Sequence, residues 1–581
     1  MTRPSLPPEP TESRQLGIQV ARVVTLGVLT GLAAALMANA FVAAIAWLNE
    51  WLLISPRARM MAPEGSWLLV ATVAVPTLGG LVVGYLHRWI REQRPHGPAE
   101  VIAAVQTRQG DLPTRPALVS GVSSLVSLGS GASVGQYGPL VHMGGSLGAL
   151  LARLLRSDVT VGNIIIACGA ASAIATAFNA PIAGILFAHE VILRHFALRA
   201  FAPVALAAIT GYVVANAFLA QPPLFQVESA AVRHIWEFGL FPILGVASAL
   251  VAVAYMHAIL GMGRVARRLP LPAVAKPALA GMGLGLVALW VPEILGIGAQ
   301  TLRFAFIDGA FAQWELLLVL VLKLLATAWC LGMGFSGGVF SPALVIGSLF
   351  GALFGSVLGM LLGGGTSELV VFAVCGMVAV AAPVIGAPLT TVVIVFELTG
   401  SYELTLAALA SVALANLVAS RIFGRSFFDR QLRDRDLDLS RGRSKALLAS
   451  RTIAGLVSTH HPTAPATARV ADARQAMQSG DATSCHLVDD NGRYVGTLRL
   501  QRILEAPDHA PARDYCGRDE IVMKAETSVW DAMNQLRDFV GEGVAVVDAH
   551  NRLLGTVFES DLIRDYLDTL EDMRSEEHAT R

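Results

Sequence analysis

Hydrophobic positions run almost without interruption from about Val20 to Phe423 and then stop. Around Arg425 the chain turns charged, reading GRSFFDRQLRDRDLDLSRGRSKALL. Within the apolar part, stretches such as 66–91 and 234–262 are long enough to cross a hydrocarbon layer of about 30 Å. Others, including 114–128, 139–155 and 342–363, are shorter and broken by glycine and proline. That pattern predicts closely packed helices and helices that stop partway through the membrane. Met1 to Arg14 is polar and proline-rich, with no apolar core and no small-residue cleavage site. The first apolar run is therefore expected to be a membrane segment and not a secretory signal.

Composition agrees with the pattern. Of 581 residues, 54% are hydrophobic and only 15% charged, too apolar for a soluble protein of this size. The 43 basic and 43 acidic residues balance, so nothing points to a nucleic-acid partner. Five scattered cysteines (Cys168, Cys330, Cys375, Cys485, Cys516) contain no C-x-x-C and support neither a disulfide framework nor a zinc site. Basic clusters stand at Arg88/Arg91/Arg94, at Arg264/Arg267/Arg268 and from Arg421 through Lys445. The positive-inside rule puts all three, and the chain that follows, in the cytoplasm.

The strongest internal signal is a repeat. GQYGPLVHMGGSLGALL from Gly135 and GVFSPALVIGSLFGALF from Gly338 both read G-x-x-x-P, an apolar stretch, then Gly, Ser, Leu and another Gly. About 40 to 50 residues later each copy has a second motif, AFNAPIAGILFAHE ending at Glu190 and VIGAPLTTVVIVFELTG ending at Gly400. Two ordered matches, about 200 residues apart, predict two structural repeats in one membrane domain. In each loop glycine lets the backbone approach a ligand closely. Proline at the first helical position starts a helix without wasting a donor. The unpaired N–H groups and the positive dipole end then face the loop and form an anion site. Two such termini at the bilayer midplane would hold an unhydrated anion without a full positive charge, and so still let it leave.

These motifs, in this order, resemble the CLC chloride channel/transporter family over roughly residues 18–435. GQYGP (Gly135, Gln136, Tyr137, Gly138, Pro139) resembles its G-R/K-E-G-P motif, and GVFSP, with Gly338, Val339, Phe340 and Pro342, its G-x-F-x-P motif. HGPAEV, opening on His96 and Gly97, is similar to a degenerate G-S/H-G-x-P-E motif. RSFFDRQL, containing Phe428, resembles the segment that enters the pore from the inside. The resemblance implies an α-helical polytopic domain of inverted repeats with tilted and broken helices. It further implies a homodimer in the lipid of the cell inner (plasma) membrane, with one anion pathway per subunit. Chloride or another small monovalent anion is the expected cargo. No enzymatic activity, metal or required cofactor is expected. The anion would be held by backbone amides near Val339 and Phe340, by those near Tyr137 and Gly138, and by residues near His96 and Phe428.

The sequence also departs from the family pattern. The middle position of G-x-E-G-P, usually a glutamate that gates the pathway and carries protons, is Tyr137. A phenol has an unperturbed pKa of about 10 and is neutral at pH 7. It either donates a hydrogen bond to an anion or blocks the path with its ring. The inner proton-accepting glutamate of coupled members is replaced by Val191, which cannot relay protons. Glu190, one residue earlier, matches a structural acid and is expected to support a helix end, as is Glu397 in the second repeat. Phe428 stands where a tyrosine hydroxyl usually touches the anion. His96 stands where a serine often serves, and either donates one hydrogen bond when neutral or faces cytoplasmic solvent. Backbone amides are then expected to carry most of the binding. The expected function is a passive, proton-uncoupled anion channel gated at Tyr137. The alternatives are an anion/proton antiporter of the same type and a non-conducting membrane receptor.

The remaining chain reads as α/β. CHLVDDNGRYVGTLRLQRIL from Cys485 predicts strand, Asp-Asn-Gly turn, strand and helix, and GVAVVDAHNRLLGTVFESDLI from Gly543 repeats it. Each follows an amphipathic stretch, VADARQAMQSG or SVWDAMNQLRDFV. This resembles a tandem CBS pair, a fold that often binds adenine nucleotides between its repeats. The ribose-binding aspartate would correspond to Asp561; the first repeat has Arg502 there, and Phe558 replaces the usual Thr/Ser. Without a Gly-rich phosphate loop carrying Lys, an adenine nucleotide is expected to bind weakly if at all, and a dimerising scaffold is the other reading. His460 and His461 adjoin a linker and are expected to be solvent-exposed. The predicted organisation is a polar cytoplasmic segment 1–17, a membrane domain 18–435, a linker 436–448, and CBS repeats 449–507 and 508–575.

Overall fold

The computed structural model describes residues 10–55, 66–107, 110–218, 231–363, 366–435, 437–439, 442–517, 521–537, 539 and 543–578. Residues 1–9 of the predicted polar segment, and 436, 440 and 441 of the predicted linker, lie outside the described residues. The chain divides into two compact units between Arg435 and Asp436.

The first unit is helical. Among the described residues, eight helices are long and apolar enough to cross a membrane, from Ala21–Trp51 to Tyr402–Arg433. Shorter apolar helices fill the space between them: Pro181–Leu193, Ala275–Ala288, Leu369–Ile385 and Pro388–Thr399. The first helix already begins at Pro10, so residues 10–17 of the predicted polar segment are helical. Large apolar side chains such as Leu118 (71% exposed) and Leu198 (78%) stand on the outer surface, which suits lipid and not water.

The two repeats pack alike. Tyr137–Leu154 lies on Val159–Phe178, and Phe340–Leu361 lies on Leu369–Ile385. At both crossings the backbones meet through glycine. A Cβ on Gly144 would fall on the Gly169 carbonyl oxygen, and a Cβ on Gly347 would come within 2.5 Å of the Gly376 carbonyl oxygen. Small residues at these points let the helices approach, as membrane packing requires.

Among its described residues the second unit holds two three-stranded sheets of the same design. β1 (Thr463–Pro465) runs parallel to β2 (Ser484–Val488), which is antiparallel to β3 (Tyr494–Arg499). β4 (Val522–Lys524), β5 (Gly543–Val547) and β6 (Leu553–Phe558) repeat the order and the register shift near the end of the ladder. The helix Arg443–Ser450 lies within the predicted linker and first repeat, yet Leu448 and Ile453 join the core of the second repeat with Met523, Val529 and Val546. His460 is exposed, but the expectation for His461 is corrected: it is 8% exposed. Pairing of β1 with β2 carries the residues just ahead of β1 under the sheet, where the His461 ring lies 4.6 Å from that of His486 and its Nε2 is 3.1 Å from Ser484 Oγ.

Candidate anion pathway

The two G-x-x-x-P loops meet. Gly135 N donates to Gly338 O at 2.8 Å and Gly338 N donates to Gly135 O at 2.7 Å, a two-residue antiparallel bridge between the repeats. A Cβ on Gly338 would stand 2.7 Å from Gly138 N, so only glycine permits this approach. Each loop then enters a helix, at Tyr137 and at Phe340. Their preceding residues have nearly the same backbone, φ −86°, ψ −25° at Gln136 and φ −93°, ψ −16° at Val339, and neither supplies a side-chain cap. The first i−4 bonds close only at Leu140 N to Gln136 O and Ala343 N to Val339 O, both 3.2 Å. The earlier amides are left for an outside acceptor. Pro139 and Pro342 sit at the third helical position, two residues later than the first-position placement expected from sequence. The chemistry is unchanged, because that N–H also lacks an intrahelical acceptor.

Around these termini lies a cavity lined by Pro98, Tyr137, Gly138, Val141, Ile174, Phe187, Val339, Phe340, Ile385 and Phe428. Among the described residues no lining side chain is basic or acidic, so the polar groups on offer are backbone amides and the Tyr137 phenol. The space is narrow, about 10 Å³ for the centre of a water-sized particle, or room for one. The Tyr137 ring narrows it. It stacks on Phe178 at 3.8 Å between centroids and 19° between planes, with Phe340 at 5.7 Å. Tyr137 is 2% exposed, and its hydroxyl is buried without a well-formed hydrogen bond among the described residues, with the Gln136 side chain as a polar neighbour. Beyond Phe427 opens a wider cavity of about 1140 Å³ whose lining includes Arg94, Arg264, Arg267, Lys276, Arg430 and Arg435 against Glu92 and Asp434. Such a basic mouth raises the local concentration of anions.

Among the other predicted residues, Phe428 is buried and lines the narrow cavity, at the start of a helix capped by Ser426 Oγ. His96 does not line it. Its Nε2 lies 3.1 Å from Glu92 Oε2 and its ring meets His142 edge-on at 5.8 Å. Gly97 precedes the helix Pro98–Gln106, where Pro98 reaches the cavity and Glu100 accepts from Gly97 N at 2.7 Å. Val191 is 3% exposed in a widened π turn, Ala188–Leu193. Glu190, in the same turn, accepts from Leu389 N (3.0 Å), Thr390 N (2.9 Å) and Thr390 Oγ1 (2.8 Å). Glu397 does the reverse, accepting from Ile182 N at 2.8 Å and Ala183 N at 2.7 Å. Each acid therefore caps the start of the other repeat's helix. Asp561, far along the chain, faces Arg564 Nη1 at 3.6 Å.

One residue escaped the sequence reading. Lys323 is wholly buried on Gln313–Gly332 and donates from Nζ to Ile294 O (2.9 Å) and Gly296 O (2.8 Å). Gly296 N in turn donates to Gly131 O at 2.8 Å, and Thr327 Oγ1 lies 3.0 Å from Ser133 Oγ. Lys323 thus anchors the loop that delivers Tyr137. The signal was present, since a lysine inside an apolar span marks function or a built support.

Residues 78–420 match the family described as "voltage gated chloride channel", and 453–509 and 512–568 match the CBS domain. The chain is 31% identical over 417 residues to a putative chloride channel protein ClcB-like of Ralstonia nicotianae, spanning 70% of this chain and 96% of that protein. It is 28% identical over 415 residues to the H(+)/Cl(-) exchange transporter ClcA of Cronobacter sakazakii, spanning 70% and 88%. The fold is shared with a slow cyanobacterial Cl-/H+ antiporter, with a TM-score of 0.65 at 24% identity over 74% of this chain and 99% of that one.

Proposed function

Since the chain belongs to the voltage-gated chloride channel family, we propose that it is a passive, proton-uncoupled chloride channel with Tyr137 as its gate. The family transports anions across membranes, and the multi-span membrane unit followed by a CBS pair fits that role. The proposal concerns coupling. Exchange needs a group that occupies an anion site when charged and leaves it when protonated. Tyr137 stands at the resembling position and is a neutral phenol at pH 7. The observation that carries the reading is the cap made by Glu190. Both of its oxygens are taken by Leu389 and Thr390, so the acid beside Val191 is committed to holding a helix. An anion would pass from the basic cavity to the free amides at Phe340 and Tyr137, displacing the phenol ring from Phe178 as it goes.

The reading includes a homodimer in the cell inner membrane with the second unit cytoplasmic, as the charge bias supports. Adenine nucleotides are not required. Exchange is the second reading, because the Cronobacter sakazakii relative is named an exchanger. Chloride efflux from potassium chloride-loaded proteoliposomes separates the two. With valinomycin alone, a passive pore empties the vesicles at full rate, and a proton ionophore adds nothing. Efflux that stalls until the ionophore is present would reject the proposal.

A further inference from the structure

A cavity of about 310 Å³ lies away from the pathway, where three apolar spans begin or end. Arg22 stands at the start of Ala21–Trp51, Arg199 at the start of Leu198–Phe218, and Arg156 in the turn between Tyr137–Leu154 and Val159–Phe178. All three are exposed and line the same space. None makes an ion pair or side-chain hydrogen bond among the described residues. Among the described residues one carboxylate shares the lining, Asp158, whose Oδ1 is occupied by Val161 N at 2.8 Å. Three guanidiniums against one capped acid leave a net positive cavity that a bound anion would relieve. Ser157 points to the same conclusion independently: it lines the cavity, and its Oγ is buried with no hydrogen-bond partner among the described residues. A buried hydroxyl without a partner calls for one.

We propose that this cavity binds the phosphate headgroup of an anionic phospholipid. Guanidinium forks match phosphate oxygens, and the Ser157 hydroxyl supplies a further donor. The surrounding surface selects a lipid over a free phosphate. Leu154 is 70% exposed, Leu155 39% and Leu198 78%, all on the segments that carry the arginines. Acyl chains would cover them while the headgroup sits at the edge of the hydrocarbon, where basic pockets between helices meet it. This inference needs the membrane placement and is independent of proton coupling.

The test uses the full-length protein in phosphatidylcholine nanodiscs, titrated with phosphatidylglycerol and read by thermal unfolding and by retained lipid in native mass spectrometry. Phosphatidylglycerol should bind and raise the unfolding temperature. Each arginine removed should weaken binding about fivefold, so Arg156→Gln is measurably weaker and the triple Arg22→Gln, Arg156→Gln, Arg199→Gln loses it. Arg115→Gln, an exposed arginine elsewhere, should bind as the parent does. Should the triple variant fail to fold, the parent protein still decides: phosphatidylglycerol should protect the peptide 152–161 from hydrogen exchange. Equal retention of phosphatidylcholine, full binding by the triple variant, or no protection of 152–161 would overturn the site. Binding of soluble glycerol 3-phosphate as tight as that of phosphatidylglycerol would overturn the assignment to lipid.

Discussion

Replacing Tyr137 with phenylalanine removes one oxygen and leaves the ring stacked on Phe178. That oxygen is buried without a well-formed hydrogen bond among the described residues, and a buried unsatisfied polar group costs about 1–3 kcal/mol. Tyr137→Phe should therefore stabilise the anion-free protein by about 1 kcal/mol. With an anion present the sign reverses. A hydrogen bond to a charged group contributes about 1.5–3 kcal/mol, so losing it should weaken chloride binding about tenfold or more. Thermal unfolding in detergent with chloride replaced by a bulky organic anion reads the first effect. Calorimetric chloride titration reads the second. The two must move in opposite directions. A variant less stable without chloride would mean the hydroxyl already has a partner. Unchanged chloride affinity would mean it never meets the anion, leaving the ring as a plain plug.

Glu190→Gln keeps the shape of the helix cap but removes its charge, and should lower stability by about 1 kcal/mol with chloride flux per folded protein unchanged within about twofold. Lys323→Met strands the carbonyls of Ile294 and Gly296 and should cost about 2 kcal/mol or more, with flux per folded protein reduced as the loop ahead of Tyr137 loses its anchor; radiotracer efflux normalised to folded protein checks both variants. In the second unit, His486 Nδ1 lies 2.8 Å from Thr497 Oγ1 and Nε2 2.8 Å from Thr556 Oγ1. Burial, reinforced by His461, pushes its pKa down to about 3. Because the unfolded chain takes up that proton near 6.5, its contribution is complete above 6.5 and lost as pH falls towards 3, at roughly 1.4 kcal/mol per pH unit. Hydrogen exchange of 484–488, corrected for intrinsic rate, should accelerate across that window in the parent chain and less in His486→Gln.

The two helix starts of the candidate pathway were legible in sequence because their requirements are local. Glycine and proline at fixed spacing dictate where a helix starts and what its first amides face, and Gly135 through Pro139 and Gly338 through Pro342 carry that information themselves. Partners chosen by long-range packing were not legible. Nothing near Glu190 announces that its carboxylate caps a helix about 200 residues later, nor that a π turn aims it there. Lys323 was visible as a residue, but its acceptors Ile294 and Gly296 arrive from a different element. His461 was misread because linker composition says nothing about a neighbouring sheet that closes over it. The motif leaves His96 between two roles, and its observed contact with Glu92 depends on a turn that the motif does not specify.

Anions are proposed to move without protons, and a pH electrode tests this. Proteoliposomes holding the full-length chain, weakly buffered, are placed in an outward chloride gradient with valinomycin and potassium to collapse the voltage. A coupled exchanger would drive protons uphill, and the pH trace would reverse on adding a proton ionophore. Chloride efflux with a flat pH trace is expected for the parent chain and for Glu190→Gln alike. Sustained uphill proton movement, abolished by Glu190→Gln, would contradict it and make Glu190 a relay instead of a cap.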